Sequence, residues 1–182
     1  MLDLKSITKE WTLFLDRDGV INEEKPGEYI LHWDHFVFSK GVLESFKKLS
    51  DVFRRVIIVT NQKGVGKGLM TQAALDTIHY EMQREVANVG GRIDHIYACT
   101  DLDNDSPMRK PNHGMALRAQ KDFSDVNFSK SIMVGNKPSD MGFGRAAGMF
   151  TVFLATTNPE VAFPHPAIDR RCNSLQAFAE AI

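Results

Sequence analysis

The chain has 182 residues, which is enough for one domain with a substantial hydrophobic core. Lysine and arginine total 22 and aspartate and glutamate total 23, so the formal net charge of -1 excludes a global basic field that would gather nucleic acid or anionic membranes. Hydrophobic residues make up 43% and charged residues 25%, which excludes a disordered chain. We expect a single domain over residues 1–182, in which any phosphate binding comes from locally placed groups.

The cysteine content and the apolar segments predict a cytoplasmic protein. Cys99 and Cys172 are too few for a disulfide framework, which favours a reducing compartment. Residues 1–10 contain no apolar stretch of the kind that a secretory signal needs. The longest aliphatic runs, such as Val56–Val59, fall far short of the roughly 20 residues that cross a bilayer, so we expect no membrane partner.

Short apolar runs alternate along the chain with stretches of helical periodicity. This pattern is typical of parallel strands that crossover helices bury on both faces, and it predicts an α/β fold with a three-layer, Rossmann-like parallel sheet. The predicted strands are, in chain order, Trp11–Leu15, Val56–Thr60, Ile93–Ala98, Ser131–Val134 and Phe150–Leu154.

Helices are predicted from the spacing of apolar residues between these strands. The first carries Val42, Phe46 and Leu49, and the second carries an apolar stripe from Leu75 to Val89. Asn158–Pro166, which contains three prolines, is predicted to be a surface connection. The remaining helices are predicted at about Asn112–Phe123, at Pro138–Ala147 and from Ser174 onward.

Two carboxylates follow the first predicted strand. Asp16 and Asp18, spaced by two, leave a strand on the same face, and Gly19 permits the turn that keeps both near one point. Two like charges this close favour a bound cation beside them. A turn capped by aspartates explains an isolated motif of this kind equally well.

Neutral and basic groups follow the second and third predicted strands. Thr60 and Asn61 offer a hydroxyl, an amide and backbone N–H groups that can hold phosphate oxygens. Lys110 precedes Pro111, which favours an extended conformation that aims the ammonium at one spot. Taken alone, the first pair could be a turn, and Arg109 with Lys110 could be a solvated basic pair.

A fourth polar motif follows the fourth predicted strand. Asn136 and Asp140 are four residues apart and could share a helical face, presenting two oxygens to a metal. Asp140 could instead be an acid favoured by the helix dipole. The four motifs occur in chain order at four successive strand ends, and such ends meet at one edge of a parallel sheet, so we predict one site.

This ordered set of motifs resembles the four motifs of the haloacid dehalogenase (HAD) superfamily of phosphatases. The segments D-R-D-G-V-I-N, T-N-Q-K-G-V-G-K-G and R-K-P-N-H-G-M, with the closing Asn173-Ser174-Leu175, resemble the branch that contains heptose 1,7-bisphosphate 7-phosphatase and histidinol-phosphate phosphatase. The resemblance implies a HAD-like sheet. The short gaps between elements predict that it is capless, with the Glu23–His35 loop as a partial lid.

The resemblance implies a role for each motif. Asp16 would attack phosphorus and form an aspartyl-phosphate, and Asp18 would act as general acid and then base. Mg²⁺ is the implied cofactor, held by Asp16, Asp18, Asn136 and Asp140. Phosphate would be bound by Thr60, Asn61, Lys110 and Lys137, with Arg109 at the remote end of the substrate.

The chain departs from the family pattern in two places. Asn136 stands where the family usually has an aspartate as its last metal ligand, which predicts weak metal affinity that Asn136→Asp should tighten. Many relatives carry a zinc loop of three cysteines and a histidine, of which only Cys99 remains here, so no zinc is expected. Among the histidines, only His32 and His35 are predicted near the substrate.

Several functions fit these motifs. The leading prediction is a Mg²⁺-dependent phosphatase acting on a small phosphorylated metabolite, a sugar phosphate such as heptose bisphosphate. Histidinol-phosphate phosphatase and polynucleotide 3′-phosphatase are alternatives, although the net charge makes a nucleic-acid partner unlikely. A phosphate-binding protein without catalysis is a third, which the intact set Asp16, Asp18, Thr60 and Lys110 disfavours. The sequence leaves the oligomeric state open.

Overall fold

A computed structural model describes residues 2–24 and 27–182 and contains one sheet of six parallel strands. The strands are β1 (Thr12–Leu15), β2 (Arg55–Asn61), β3 (His95–Cys99), β4 (Ser131–Gly135), β5 (Phe150–Leu154) and β6 (Arg170–Cys172). Their order across the sheet is β3-β2-β1-β4-β5-β6. The predicted α/β fold with a Rossmann-like parallel sheet is therefore confirmed.

Helices cover both faces of the sheet. They are α1 (Val42–Val52), α2 (Lys63–Gly66), α3 (Gln72–Asn88), α4 (Gly114–Asp122), α5 (Pro138–Ala147) and α6 (Leu175–Ala181). Short 3-10 helices lie at Leu4–Ser6, Trp33–His35 and Phe128–Lys130. None of the helices in the described part of the chain combines the length and the apolar character needed to cross a bilayer.

The central strand β1 shows how alternation builds the three layers. Leu13 and Leu15 pack into a core with residues of α1, α3 and α6, whereas Phe14 points to a second core with residues of α4 and α5. All three side chains are fully buried, because neighbouring residues of a strand face opposite sides of the sheet. Parallel strands buried on both faces require such continuous apolar runs.

The topology brings the polar strand ends together. From β1 the chain builds outward through β2 and β3, and then crosses back to place β4 on the other side of β1. In register, Leu15 pairs with Ile58 of β2 and with Val134 of β4, so these three strands end side by side. A ligand crevice is expected at this switch in strand order, and it lies directly beside Asp16.

The structure corrects several predicted boundaries. A sixth strand, β6, pairs with β5, where five strands were predicted. β3 begins at His95, two residues after the predicted Ile93, and Val89 lies just beyond α3 with 38% exposure instead of in its buried stripe. Residues 63–66, where the sequence predicted no helix, form the one-turn helix α2.

The loop expected to act as a partial lid is only partly described. Lys25 and Pro26 lie outside the described residues. Beyond them, the short helix Trp33–His35 is anchored by its tryptophan, whose ring stacks on Phe36 at a centroid distance of 5.0 Å. His32 and His35 are exposed on this segment.

Candidate active site

Asp16 lies at the end of β1 and at the centre of the polar strand ends. Its backbone N–H donates to the carbonyl of Val134 at 3.0 Å, which continues the pairing with β4. Its Oδ1 accepts from the Arg17 backbone N–H at 2.7 Å and lies 2.9 Å from Lys110 Nζ. No donor among the described residues reaches Oδ2, so this oxygen is left for a ligand.

Burial dominates the electrostatics of Asp16. Desolvation, reinforced by the Asp140 and Asp18 carboxylates and opposed by Lys110, raises the pKa of Asp16 to about 6. The carboxylate is therefore mostly ionised at neutral pH, and its negative charge is held in a place poorly screened by water.

Lys110 joins three elements at one buried ammonium. Its Nζ lies 2.9 Å from Asp16 Oδ1 and 2.7 Å from Asp140 Oδ1, and it donates to the carbonyl of Val59 at 2.8 Å. Burial alone would lower the pKa of Lys110, but the Asp140 and Asp16 carboxylates outweigh it and the pKa is raised. Lys110 therefore remains a cation between two carboxylates.

Asp140, which was predicted to be a metal ligand, contacts the Lys110 ammonium and two backbone N–H groups. Its Oδ2 accepts from the backbone N–H groups of Asn136 at 3.1 Å and Lys137 at 2.9 Å, while Oδ1 faces Lys110. A Cβ on Gly135 would come within 2.2 Å of the Asp140 Cβ, so this close approach requires glycine. These contacts fit Asp140 as the group that orients Lys110 and the 136–137 backbone.

Asp18 is held by a buried cation and two amides. Arg17 donates to Asp18 Oδ1 from Nε at 3.2 Å and Nη2 at 2.9 Å, Asn22 Nδ2 donates to Oδ1 at 3.0 Å, and Gln62 Nε2 donates to Oδ2 at 2.8 Å. Burial would raise the pKa of Asp18, but the Arg17 charge and these hydrogen bonds outweigh it and lower the pKa. The Asp18 backbone carbonyl accepts no hydrogen bond from the described residues.

Asn136 presents an unpartnered oxygen in the interior. Its side chain is fully buried, and Nδ2 donates to Glu24 Oε2 at 3.0 Å and to Thr157 Oγ1, while Oδ1 has no partner among the described residues. A buried amide oxygen without a donor costs stability unless something binds it. An amide oxygen is also a ligand that Mg²⁺ accepts, so the site fits a hard cation.

The donor set for a cation is small. In residues 2–24 and 27–182, no three His, Cys, Asp or Glu side chains are grouped to hold a metal ion. A cation would therefore depend on Asp16, on the Asp18 backbone carbonyl and on the Asn136 amide. Gly19 permits this grouping, because its φ of +82° is left-handed and a Cβ there would lie 2.1 Å from Asn136 Nδ2.

A cavity of about 430 Å³ opens above Asp16 and Asp18. Cationic side chains border its acidic floor, and Lys63 donates from Nζ to Asn104 Oδ1 at 2.8 Å across the rim. The exposed His32 and His35, which were predicted near the substrate, do not line it. The lining residues are Asp16, Asp18, Tyr29, Asn61, Lys63, Asn104, Arg109, Lys110, Pro111, Lys137, Ser139 and Asp140.

Comparison with known proteins identifies the family. Residues 12–163 match the profile described as Polynucleotide kinase 3 phosphatase. The D-glycero-alpha-D-manno-heptose-1,7-bisphosphate 7-phosphatase of Mycobacterium bovis is 33% identical over 174 residues, which cover 95% of this chain and 92% of that protein. The D-glycero-beta-D-manno-heptose-1,7-bisphosphate 7-phosphatase of Escherichia coli K12 is 33% identical over 179 residues, which cover 93% of this chain and 92% of that protein.

Solved structures agree with the sequence relatives. The D,D-heptose 1,7-bisphosphate phosphatase of B. bronchiseptica, solved with magnesium and phosphate, superimposes with a TM-score of 0.85 at 29% identity over 93% of this chain and 96% of that one. A putative HAD-like phosphatase of Mesorhizobium loti has a TM-score of 0.76 at 26% identity, over 94% of this chain and 85% of that one. The chain belongs to the HAD superfamily of phosphatases. Its resemblance to the heptose bisphosphate branch is confirmed.

The residues predicted to bind phosphate differ in what they contact in this HAD phosphatase. Asn61 lines the cavity, but its amide holds the Lys110 backbone: Nδ2 donates to the Lys110 carbonyl at 3.0 Å and Oδ1 accepts from its N–H at 3.1 Å. Thr60 is buried, and its Oγ1 accepts from Gln62 Nε2 at 2.8 Å. Arg109 and Lys137, which were predicted to contact the substrate, both line the cavity.

Sequence reasoning missed the groups that hold the HAD motifs in place. Arg17 is fully buried between Asp18 and His79, where its Nη1 lies 3.2 Å from His79 Nε2. Gln62 ties Asp18 to Thr60. Their roles could have been suspected from the sequence, because Arg17 lies inside the D-R-D-G motif and Gln62 follows Thr60 and Asn61 in T-N-Q. The contact of Glu24 with Asn136 had none, since the two residues are 112 positions apart.

Burial of His79 should make the free energy of unfolding of this HAD phosphatase depend on pH. Burial, followed by the Arg17 charge and opposed by Asp18 and Asp76, lowers the pKa of His79 to about 3. In the unfolded chain the His79 ring takes up a proton near pH 6.5, whereas in the folded protein it stays neutral down to about pH 3. The contribution of His79 to the free energy of unfolding is therefore fully present above pH 6.5 and is lost as the pH falls toward 3. From pH 7 to pH 5 the loss from this one group is about 2 kcal/mol.

The variant His79→Gln tests this pH dependence, because glutamine can still accept a hydrogen bond from Arg17 but does not titrate. Urea unfolding at pH 7 and pH 5 should give a fall in the free energy of unfolding that is about 2 kcal/mol smaller in the variant. The comparison uses the pH difference within each protein, so a general loss of stability cancels. Equal falls in both proteins would show that His79 is not held neutral by the fold.

Proposed function

We propose that this phosphatase is Mg²⁺-dependent and hydrolyses a sugar bisphosphate, with D-glycero-D-manno-heptose 1,7-bisphosphate as its substrate and the 7-phosphate as the group removed. The observation that carries the proposal is the pairing of an acidic floor, at Asp16 and Asp18, with cations on the rim of one cavity. A substrate with two phosphates can place one at the floor and one at the rim. The names of the heptose bisphosphate relatives support this choice.

Asp16 carries the covalent step of the proposal. One carboxylate oxygen attacks phosphorus, the bond from phosphorus to the ester oxygen breaks, and an aspartyl-phosphate forms. The hydrogen bonds to Oδ1 fix the carboxylate, which leaves Oδ2 without a donor. Ionisation at neutral pH gives the nucleophile the charge that it needs.

Asp18 moves the protons of the two steps. It gives a proton to the leaving alkoxide, and then accepts one from the water that attacks the aspartyl-phosphate and releases phosphate and Asp16. Arg17, Asn22 and Gln62 keep Asp18 ionised in the free site. An anionic phosphate beside Asp18 favours the protonated carboxyl, because a nearby like charge raises a pKa.

The remaining groups at the floor of the cavity would bind Mg²⁺ or neutralise the negative charge of the phosphate. Asp16, the Asp18 carbonyl and Asn136 Oδ1 would hold Mg²⁺, which would neutralise phosphate oxygens when bound. Lys110 places a fixed cation beside Asp16, where negative charge collects as the phosphoryl group is transferred. The Thr60 hydroxyl, whose oxygen already accepts from Gln62, remains able to donate to a phosphate oxygen.

The second phosphate of the substrate is assigned to the rim. Arg109 lines the cavity and is partly exposed, and its guanidinium can bind two phosphate oxygens at once. Lys63 faces the same opening from the start of α2, with Asn104 as its partner. Neither side chain has an ion pair with another described residue, so both charges are available to an anion.

Phosphate release from matched substrates tests this assignment. The wild-type protein should hydrolyse heptose 1,7-bisphosphate with a higher kcat/KM than heptose 7-phosphate or histidinol phosphate. Arg109→Ala should raise KM for the bisphosphate by about tenfold or more, since a charge-assisted hydrogen bond contributes about 1.5–3 kcal/mol, while KM for the monophosphates stays unchanged. Equal effects of the variant on both substrate types would contradict a rim site for the second phosphate.

A polynucleotide 3′-phosphatase is a second candidate, because the matching family profile bears that description. The net charge of -1 disfavours it, since polynucleotide binding depends on many cationic contacts to the phosphate backbone. An oligonucleotide with a 3′-phosphate, assayed at low and at high salt, separates the two. Hydrolysis of this substrate faster than of heptose bisphosphate would overturn the sugar assignment.

A further inference from the structure

Glu24 is a mostly buried carboxylate that three donors hold beside the metal-binding motifs. Its Oε2 accepts from Asn136 Nδ2 at 3.0 Å and from Thr157 Oγ1 at 3.1 Å, and its Oε1 pairs with Lys137 Nζ. The side chain of Glu24 is only 18% exposed. It also lines, together with Asp18 and Lys137, a small cavity of about 80 Å³ next to the main one.

The contact with Glu24 determines which end of the Asn136 amide faces inward. A carboxylate can only accept, so the amide must turn its NH₂ group toward Glu24. Asn136 Oδ1 is then the buried oxygen without a partner. The loop after β5 supports this arrangement, because Thr157 Oγ1 donates to Glu24 and is therefore an acceptor for Asn136 Nδ2. In the same loop, Asn158 Nδ2 donates to the Asn136 backbone carbonyl at 2.8 Å.

We propose that Glu24 supplies the negative charge that an aspartate at position 136 would bring, and that it orients Asn136 as a metal ligand. This inference rests on the proposed magnesium site. A carboxylate that accepts from a ligand polarises it and makes it a stronger donor to the metal. The charge itself lies one hydrogen bond from the ligand, near enough to attract a cation.

If Glu24 already supplies this negative charge, Asn136→Asp alone should not give the tighter Mg²⁺ binding that the sequence predicted. In the wild-type background the new carboxylate oxygen would stand about 3 Å from Glu24 Oε2, where a donor now stands. Two like charges at that separation repel each other, so the single variant should gain little affinity for Mg²⁺. The gain should appear when Glu24 is neutralised at the same time.

Calorimetric titration of the metal-free protein with Mg²⁺, without substrate, tests the proposal. Glu24→Gln should weaken binding by about tenfold. In the Asn136→Asp background the same change should strengthen binding, so that the double variant binds at least as tightly as wild type. Glu28→Gln is the matched control, because Glu28 is exposed, lines the same small cavity and has no hydrogen bond or ion pair with the described residues. It should leave the Mg²⁺ affinity unchanged.

A reversal of the sign of the Glu24→Gln effect between the two backgrounds is the result that the proposal requires. Equal weakening in both would mean that Glu24 acts only by neutralising Lys137, and no weakening in either would mean that it has no role. Both results overturn the proposal. If Asn136→Asp does not fold, Glu24→Ala in the wild-type background must reproduce the loss seen with Glu24→Gln. Absence of Mg²⁺ binding by the wild-type protein would overturn the magnesium site itself.

Discussion

Asp16→Asn is expected to lower kcat for phosphate release by about 10⁴-fold or more, because the variant keeps the shape of the side chain but removes the attacking carboxylate. Its amide oxygen can still accept from the Arg17 N–H and from Lys110, so the fold should survive. The free energy of unfolding should change by no more than about 1 kcal/mol. Steady-state phosphate release and urea unfolding measure the two quantities.

Glu44→Gln is the matched control for Asp16→Asn. Glu44 is an exposed acid in the first turn of α1, away from the residues that line the cavity, so its loss should leave kcat unchanged. A kcat in Asp16→Asn within about tenfold of wild type would contradict the covalent role of Asp16, since a nucleophile cannot be replaced at so small a cost.

Lys110→Met is expected to destabilise the protein by about 3–5 kcal/mol, because it leaves buried carboxylates close together without their cation. Lys110 is 3% exposed and holds Asp16 and Asp140 within 2.9 Å and 2.7 Å. Activity should fall by about 10²–10³-fold, the usual cost of removing one fixed group that stabilises transition-state charge. Urea unfolding and phosphate release provide the readouts.

A second substitution separates the two effects of Lys110→Met. Adding Asp140→Asn removes one of the carboxylates left without the cation, so the double variant should regain part of the lost stability but none of the lost activity. Lys121→Met, at an exposed lysine in the last turn of α4, controls for loss of a positive charge. Unchanged stability in Lys110→Met would show that the ammonium does not hold the two carboxylates together.

The sequence predicted the parts of the fold that depend on continuous burial. β5 spans Phe150–Leu154, as its apolar run predicts, and α5 spans Pro138–Ala147, where a proline marks the first turn. β6 escaped prediction because two of its three residues are arginines. It is an edge strand, placed by pairing with β5 and not by its own apolar pattern.

The site was predictable as a set of strand ends but not as a set of contacts. Chain order and parallel topology were enough to bring Asp16, Lys110 and Asp140 together. Residue type alone could not show that the Asn61 amide would form hydrogen bonds with the Lys110 backbone. Such choices are made by packing between distant segments, which a single sequence does not display.

Trapping the aspartyl-phosphate on Asp16 tests the proposed covalent mechanism most directly. Rapid reduction with borohydride during turnover of heptose bisphosphate and Mg²⁺ converts an acyl phosphate to an alcohol, which mass spectrometry of peptides can locate. We expect homoserine at position 16, present only with substrate and absent from Asp16→Asn. Turnover without label at position 16, or label at position 18 instead, would contradict the covalent mechanism proposed for this fold.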